Sequence, residues 1–470
     1  MKKYTIYRFA ILLAFQWLSS CHVSKNLPLA VNDVPSGYRY AQTDTATAAD
    51  IPWQIFFTDT SLQLLIVSAL QQNFDLQDAV KNIEAARLLL QQARLGNLPS
   101  FNLQAGVAYN RPSDNSLNGQ TLNTFLNSSH VEDYSLGASV SWEADIWGKI
   151  KNSKAAALAA YLQTKETAKA VRTRLISDIA KGYYNLLKLD AALQIASKNI
   201  GLSDSVVQIV RWQFCAGQAT SLAVQQADAQ KLFANALVPQ FEQAIAVQEN
   251  ALSVLSGKEP GPIQRAATID SIIVNDRIGT GVPAALLSRR PDIRFAELDL
   301  DKANAAAGYA KANLYPSLTI TAQGGLDALK FSNWFNIPAS LFGAVAGGLT
   351  QPLFRQKALQ TQYKIALINR EKAVIHFRGS MLIATGEVAG ALIAIDKLGE
   401  QQLFTAQRTD TLELAIHNAR LLFSNGLATY LEVITASSNV LQAELEMVSI
   451  KTSRMDATVD LYRSLGGGIK

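Results

Sequence analysis

The chain has 470 residues, 49% of them hydrophobic, with 27 Gly, 13 Pro and a net charge of +5. This length allows two or three ordinary domains, and the composition excludes a low-complexity polymer. Setting aside Lys2, Lys3 and Arg8 leaves about +2, too little for the dense basic face that phosphate binding needs, so nucleic acid is excluded as a partner.

Residues 1–20 open with those three cations and continue as an apolar run over 9–18. That is the layout of a secretory signal peptide, and it is short for a membrane span. It ends in Leu18-Ser19-Ser20-Cys21, which resembles a bacterial lipobox. On that resemblance Cys21 is lipidated and becomes the first mature residue; an ordinary signal with an incidental cysteine is the alternative. His22 stands where an Asp would oppose sorting to the outer membrane. Each buried methylene of an acyl chain contributes roughly 0.8 kcal/mol, so a multiply acylated cysteine anchors stably. Cys215 is then the other cysteine, which leaves no intrachain disulfide. It reads as a small residue packed at a helix end, because no His or basic partner stands beside it to activate the thiol.

Residues 21–58 are unpatterned and form the lipidated tether. The first structural repeat covers 59–257. A helix is expected over 61–95, with N-cap chemistry at Asp59 to Ser61 and a stop at Gly96-Asn97 and Pro99. The period then changes to two. Phe101, Leu103, Ala105, Val107 and Tyr109 alternate with polar or small residues. After a polar loop over 111–133, Tyr134, Leu136, Ala138, Val140 and Trp142 alternate with Ser135, Gly137, Ser139, Ser141 and Glu143. This β-hairpin (100–147) fits a membrane strand pair, apolar outward and polar inward, and also a half-buried soluble hairpin.

From Lys149 the period is helical. Val171, Leu175, Ile179, Leu186, Leu189, Leu193, Ala196, Ile200, Val207 and Val210 make a coiled-coil seam, with Gly182 and Ser203 in its gaps. A helix over 149–214 is roughly 100 Å long at 1.5 Å per residue, suited to crossing a gap. It turns at a tip (212–222) and returns to Leu255-Ser256-Gly257. A Pro-rich linker (258–291) follows. The second repeat (292–470) runs helix, β-hairpin 316–354, long helix, tip at 421–432, long helix. Phe214, Gly217, Ala219-Thr220, Leu222 and Val224 recur 209 residues later as Phe423, Gly426, Ala428-Thr429, Leu431 and Val433. The last helix carries the seam Ile434, Ser438, Leu441, Leu445, Val448, Thr452, Met455, Val459, Tyr462. A repeat this long signals a duplicated half rather than a solenoid.

One chain thus offers four strands, which cannot close a barrel. An open edge in lipid leaves backbone groups unpaired at several kcal/mol each, so inserted strands require further copies of the chain.

Several motifs carry a family resemblance. Ser141-Trp142-Glu143-Ala144-Asp145-Ile146-Trp147-Gly148-Lys149, Ser288-Arg289-Arg290-Pro291-Asp292-Ile293-Arg294, Tyr315-Pro316-Ser317-Leu318, Leu349-Thr350-Gln351-Pro352-Leu353-Phe354 and Leu461-Tyr462-Arg463-Ser464-Leu465-Gly466-Gly467 stand in order along the chain. They resemble TolC-superfamily outer-membrane factors, and with the lipobox the NodT-type, OprM-like efflux lipoproteins. The resemblance implies an α+β membrane protein and a homotrimer. Four transmembrane β-strands per chain build a 12-stranded barrel, continuous with long coiled-coil helices that form a periplasmic α-barrel. It further implies an outer-membrane exit duct that works with a periplasmic adaptor and an inner-membrane pump, usually of the RND type. Adaptor docking is then expected around the tip turns, at Gly217, Thr220, Gly426, Thr429, Arg211, Arg420 and Phe423. The alternatives are a lipid-anchored periplasmic coiled-coil scaffold without a pore, and the exit duct of type I secretion.

The chain departs from the family pattern in places. The polar links that close the tip of the type member involve a tyrosine, an arginine and an aspartate, and Phe423, Ala428 and Ala223 stand in their positions. Of its acidic ring only Glu432 is matched; Thr435 replaces the other acid. A Gly-rich turn is replaced by Arg355-Gln356-Lys357. Glu432 is the candidate selectivity residue at the entrance, where three copies would ring the axis with carboxylates; a solvated helix face is the plainer reading. Gly217 and Gly426 suit a left-handed turn. Arg211 and Arg420 either cap helix carbonyls or meet the adaptor. No metal-ligand spacing, phosphate loop or nucleophile elbow is present, so no cofactor, metal site or enzyme activity is expected.

Overall fold

The computed structural model describes residues 48–272, 279 and 285–469. The leader, Cys21, most of the tether and part of the linker lie outside the described residues. In chain order the helices are α1 (Trp53–Phe56), α2 (Thr60–Gln72), α3 (Phe74–Leu95), α4 (Leu117–Leu126), α5 (Lys149–Cys215), α6 (Ser221–Leu255), α7 (Leu286–Arg289), α8 (Pro291–Ala312), α9 (Ala358–Ser424) and α10 (Tyr430–Ser464). The strands are β1 (Ser100–Asn110), β2 (Val131–Ala144), β3 (Ser317–Ala328) and β4 (Leu341–Thr350). The duplication is visible in the helices: α5 and α9 have 67 residues each, α6 and α10 have 35 each. Both pairs are offset by 209 residues, Lys149 to Ala358 and Ser221 to Tyr430.

The compact units cut across these halves. One consists of Ala85–Leu162 and Leu298–Ile375 and holds all four strands; the other gathers residues 48–84, 163–297 and 376–469 and is helical. Each half contributes to both.

In the first unit the strands form one antiparallel sheet, β1-β2-β3-β4. Phe101 pairs with Val140, Val140 with Ala322, and Ala322 with Val345, so one register row runs across the sheet. The outer edges of β1 and β4 have no partner strand among the described residues. The expected polar loop after β1 contains α4, whose N-cap Ser116 accepts a hydrogen bond from the Gly119 N–H at 3.1 Å. Asn, Gln and Thr within that helix hid its periodicity.

The second unit holds the three apolar clusters. The largest packs Trp53, Phe57, Leu62 and Ile66 against Ile176, Ile179, Tyr183, Leu186 and Leu187 of α5, Leu252 of α6, and Met455, Val459 and Tyr462 of α10. Most seam residues expected on α10 are buried. The gap at Gly182 has a cause: a Cβ there would lie 2.7 Å from Leu252 Cδ2, so glycine admits the facing side chain. The helix expected over 61–95 is instead two, broken at Asn73. Its Oδ1 caps α3 by accepting from the Leu76 N–H at 2.9 Å, and its Nδ2 donates to the Leu255 carbonyl at 3.0 Å. Asp59 caps α2 by accepting from the Ser61 N–H.

Arg290, nearly fully buried, grips the end of α10. It donates to Asp292, to Glu387 Oε2 at 2.8 Å and to the Ser464 carbonyl at 3.0 Å. Among the described residues no helix is long and apolar enough to cross a membrane.

Candidate channel sheet and entrance tip

The sheet separates its side chains by chemistry. One face carries Phe101, Leu103, Val107 and Tyr109 of β1, Tyr134, Leu136, Ala138, Val140 and Trp142 of β2, Leu318, Ile320 and Ala322 of β3, and Val345 and Leu349 of β4. The other carries Asn102, Gln104, Ser135, Ser139, Ser141, Glu143, Thr319, Thr321 and Gln323. Phe342 is the aromatic on that polar face. Its ring lies over Gly137, and at neighbouring Gly325 a Cβ would come 2.1 Å from the Leu136 carbonyl oxygen. On this face Phe101, Leu103, Val107 and Tyr109 of β1 and Val345 and Leu349 of β4 are exposed. A surface apolar over this many neighbouring side chains is what lipid covers, and strands of 10–14 residues meet the length that a tilted transmembrane strand needs.

Aromatic groups mark both ends of this band, as at membrane–water interfaces. At the loop end Tyr134 meets Phe331 and Trp334 at ring distances of 5.6 and 5.7 Å. At the helix end Trp147 stacks on Tyr315 at 4.8 Å and donates to the Pro316 carbonyl at 2.7 Å. Trp142 donates to the Asn97 carbonyl at 2.9 Å. The strand-end motif has a mechanical reading. Asp145 accepts from the Ile150 and Lys151 N–H groups and so starts α5, while Lys149 pairs with Glu143 at 2.9 Å.

The tip lies in the helical unit. Gly217 and Gly426 have φ of +74° and +73°, the left-handed conformation that glycine adopts without strain. Each ends its helix in the same way. The Gly217 N–H reaches the Phe214 carbonyl and the Gln218 N–H the Gln213 carbonyl; the Gly426 and Leu427 N–H groups reach the carbonyls of Phe423 and Leu422. This pair of bonds is the Schellman motif. Thr220 then caps α6 by accepting from the Ala223 N–H at 3.3 Å, and Thr429 caps α10 by accepting from the Leu431 N–H at 3.3 Å. Glu432, exposed, closes a capping box: its Oε2 accepts from the Thr429 N–H at 2.9 Å and from the Thr429 hydroxyl. Those hydrogen bonds, the hydroxyl's first, hold its carboxyl below the usual carboxylate range.

Phe423 sits inside the tip rather than on its outside. It is 3% exposed and packs with Val206, Val207, Val210, Ala223, Ala227 and Val433, with Ala428 against the same cluster. The three positions that carry polar links in the family's type member therefore meet here as an apolar seam joining α5, α6, α9 and α10. A polar tie joins the second turn to the first helix pair, from the Tyr430 hydroxyl to Gln226 Oε1 at 2.5 Å. Sequence reasoning missed this pair, whose only signal was a tyrosine and a glutamine near the two turns. Arg211 does not cap carbonyls: it donates to both oxygens of Asp228, at 2.9 and 3.1 Å. Arg420 is exposed. Cys215 is exposed at the turn rather than packed.

Comparison with known proteins bears on both parts. The family model described as outer membrane efflux protein matches residues 65–258 and 282–467. The cation efflux system protein CusC of Escherichia coli is 27% identical over 465 residues, 98% of each chain. The toluene efflux pump outer membrane protein TtgF of Pseudomonas putida is 29% identical over 445 residues, 92% of this chain and 90% of that one. A crystal structure of CusC, from work on its folding and transmembrane channel formation, superposes with a TM-score of 0.84 at 26% identity. It covers 95% of this chain and all of that one.

Proposed function

The chain belongs to the outer membrane efflux protein family and is an outer-membrane exit duct of tripartite efflux, and we propose that three copies build that duct. The observation that carries this reading is the sheet. It has an apolar face, an opposite face that is polar along β1 to β3, a single register across four strands, and two edges without a partner strand among the described residues. Three copies supply twelve strands, enough to close a barrel with a water-filled lumen, and closure pairs every edge. The scaffold alternative has no use for such a sheet.

The duct is passive. An inner-membrane pump of the RND type loads solute, a periplasmic adaptor engages the tip around the Gly217 and Gly426 turns, and solute diffuses through. Cys21 carries the lipid anchor. The relatives' names concern a cation in one case and toluene in another. This supports a duct whose cargo is set by its pump rather than by its own wall.

At the entrance, Glu432 from each copy contributes negative charge beside the passage while it caps α10. The test is ion selectivity in a planar bilayer. Glu432→Ala is expected to reduce cation preference while the channel persists. Unchanged selectivity would confine Glu432 to its capping role.

A further inference from the structure

The end of β4 carries an unexplained feature. Leu353 and Phe354, three and four residues beyond Thr350, are 81% and 100% exposed. Phe354 is fully exposed among the described residues. Two residues further on, after Arg355, Gln356 and Lys357 have φ of +51° and +60°. Two successive non-glycine residues in the left-handed region are strained, and such strain persists where surroundings hold the backbone in place. The corresponding β2–α5 junction uses Gly148 at φ +75° and has no such strain. Within its own chain this junction is held by backbone bonds, from the Ala358 N–H to the Arg355 carbonyl at 2.8 Å and from the Thr361 N–H to the Lys357 carbonyl at 2.9 Å, while the apolar pair before it is left uncovered.

The opposite edge of the sheet offers a matching surface. β1 begins at Ser100, after a turn in which Leu95 and Leu98 are 60% and 62% exposed. That turn is tied to β2 by the bond from Trp142 to the Asn97 carbonyl. β4 ends at Thr350 and β1 starts at Ser100, and both termini lie at the helix-side end of the sheet. Antiparallel pairing of β4 from one copy with β1 of the next, in the register that sets Thr350 opposite Ser100, would bring residues 353–354 level with 95–98.

We infer that Phe354, with Leu353, is the anchor by which one copy holds the next, seated on Leu95 and Leu98 of a second copy of this chain just beyond the paired edges. Buried aromatic side chains at the centre of an interface carry a large share of its binding energy. Phe354 is fully exposed within its own chain, so truncating it removes no packing from that chain's fold. Any loss it causes is a loss between copies.

This inference rests on the closed-barrel reading, and the test separates the two. In a Cys215→Ser background, Phe354→Cys is combined with Leu98→Cys or with Leu95→Cys and oxidised in detergent. The expected result is a ladder of disulfide-linked dimers and trimers that each single variant lacks, and that Phe354→Cys with Val345→Cys also lacks. Phe354→Ala is expected to raise the protein concentration at which the oligomer half-dissociates by about tenfold or more. An intact oligomer that gives no ladder with either pair and dissociates as the parent does would overturn the anchor and leave the barrel standing. A parent protein that is folded but monomeric would overturn the barrel reading, and the anchor with it.

Discussion

Replacing Phe423 by Ala is expected to loosen the tip far more than breaking its polar tie. Phe423 is 3% exposed among Val206, Val210, Ala223, Ala227 and Val433. Truncating a buried phenylalanine costs about 3–5 kcal/mol, from lost transfer energy plus the cavity left behind. The tie from Tyr430 to Gln226 is a neutral hydrogen bond between exposed side chains, so Tyr430→Phe should cost about 1 kcal/mol or less. Local opening governs amide exchange, and about 1.4 kcal/mol is tenfold in an equilibrium constant. Hydrogen exchange of amides in 206–234 and 416–440 should therefore accelerate by roughly 100-fold or more in Phe423→Ala and by less than about tenfold in Tyr430→Phe. Open probability in a planar bilayer should follow the same order. Tip exchange in Phe423→Ala within about threefold of the parent would refute the apolar seam as the tip's fastening. So would a Tyr430→Phe effect larger than the Phe423→Ala effect.

Burial raises the carboxyl of Asp456 from its ordinary 3.8 to about 6, with Asp460 adding repulsion and Lys181 and Lys188 opposing the shift; Asp456 Oδ1 is buried without a hydrogen-bond partner. Ionised Asp456 is thus disfavoured in the fold. The cost is full above pH 6, shrinks as pH falls through 6, and is gone below 3.8. The shift corresponds to a ceiling of about 3 kcal/mol, and to about 1–2 kcal/mol once solvent screening of this half-buried group is allowed for. Asp456→Asn should therefore raise the thermal midpoint at pH 7.5 and leave it unchanged at pH 3.5; an equal rise at both would contradict the burial argument. Arg290→Ala leaves Asp292 and Glu387 without their buried partner and should destabilise by about 3–5 kcal/mol in chemical denaturation. A loss under 1 kcal/mol would mean that the end of α10 is held elsewhere. Thr429→Ala removes the cap of α10 and should cost about 1 kcal/mol, read as faster exchange in its first turn. Equal exchange there would show that Glu432 alone suffices.

The duplicated plan was legible because its punctuation is physical. Gly217 and Gly426 are required by a positive φ, so the turns announce themselves, and the helices on either side of them repeat in length to the residue. The first three strands were legible because lipid on one side and water on the other impose alternation, whereas the Gly-rich β4, LFGAVAGGLT, gave a weaker signal. Other features depend on partners distant in sequence. Asn73 breaks a helix because its side chain reaches Leu255. Gly182 interrupts a seam because Leu252 occupies the space. Phe423, Ala428 and Ala223 could be read as lacking polar links, but their joining in one cluster depends on four helices meeting. Gln356 and Lys357 were visible as a departure from a glycine-rich turn, whereas the strain they carry and the exposed Phe354 beside them are properties of the folded chain.

The central claim is a water-filled duct made by several copies, and single-channel conductance of the purified oligomer in a planar bilayer tests it most directly. The account predicts discrete channels of one reproducible size, opened further by Phe423→Ala. A folded, β-rich oligomer that stays silent, even with Phe423→Ala loosening its tip, would contradict it.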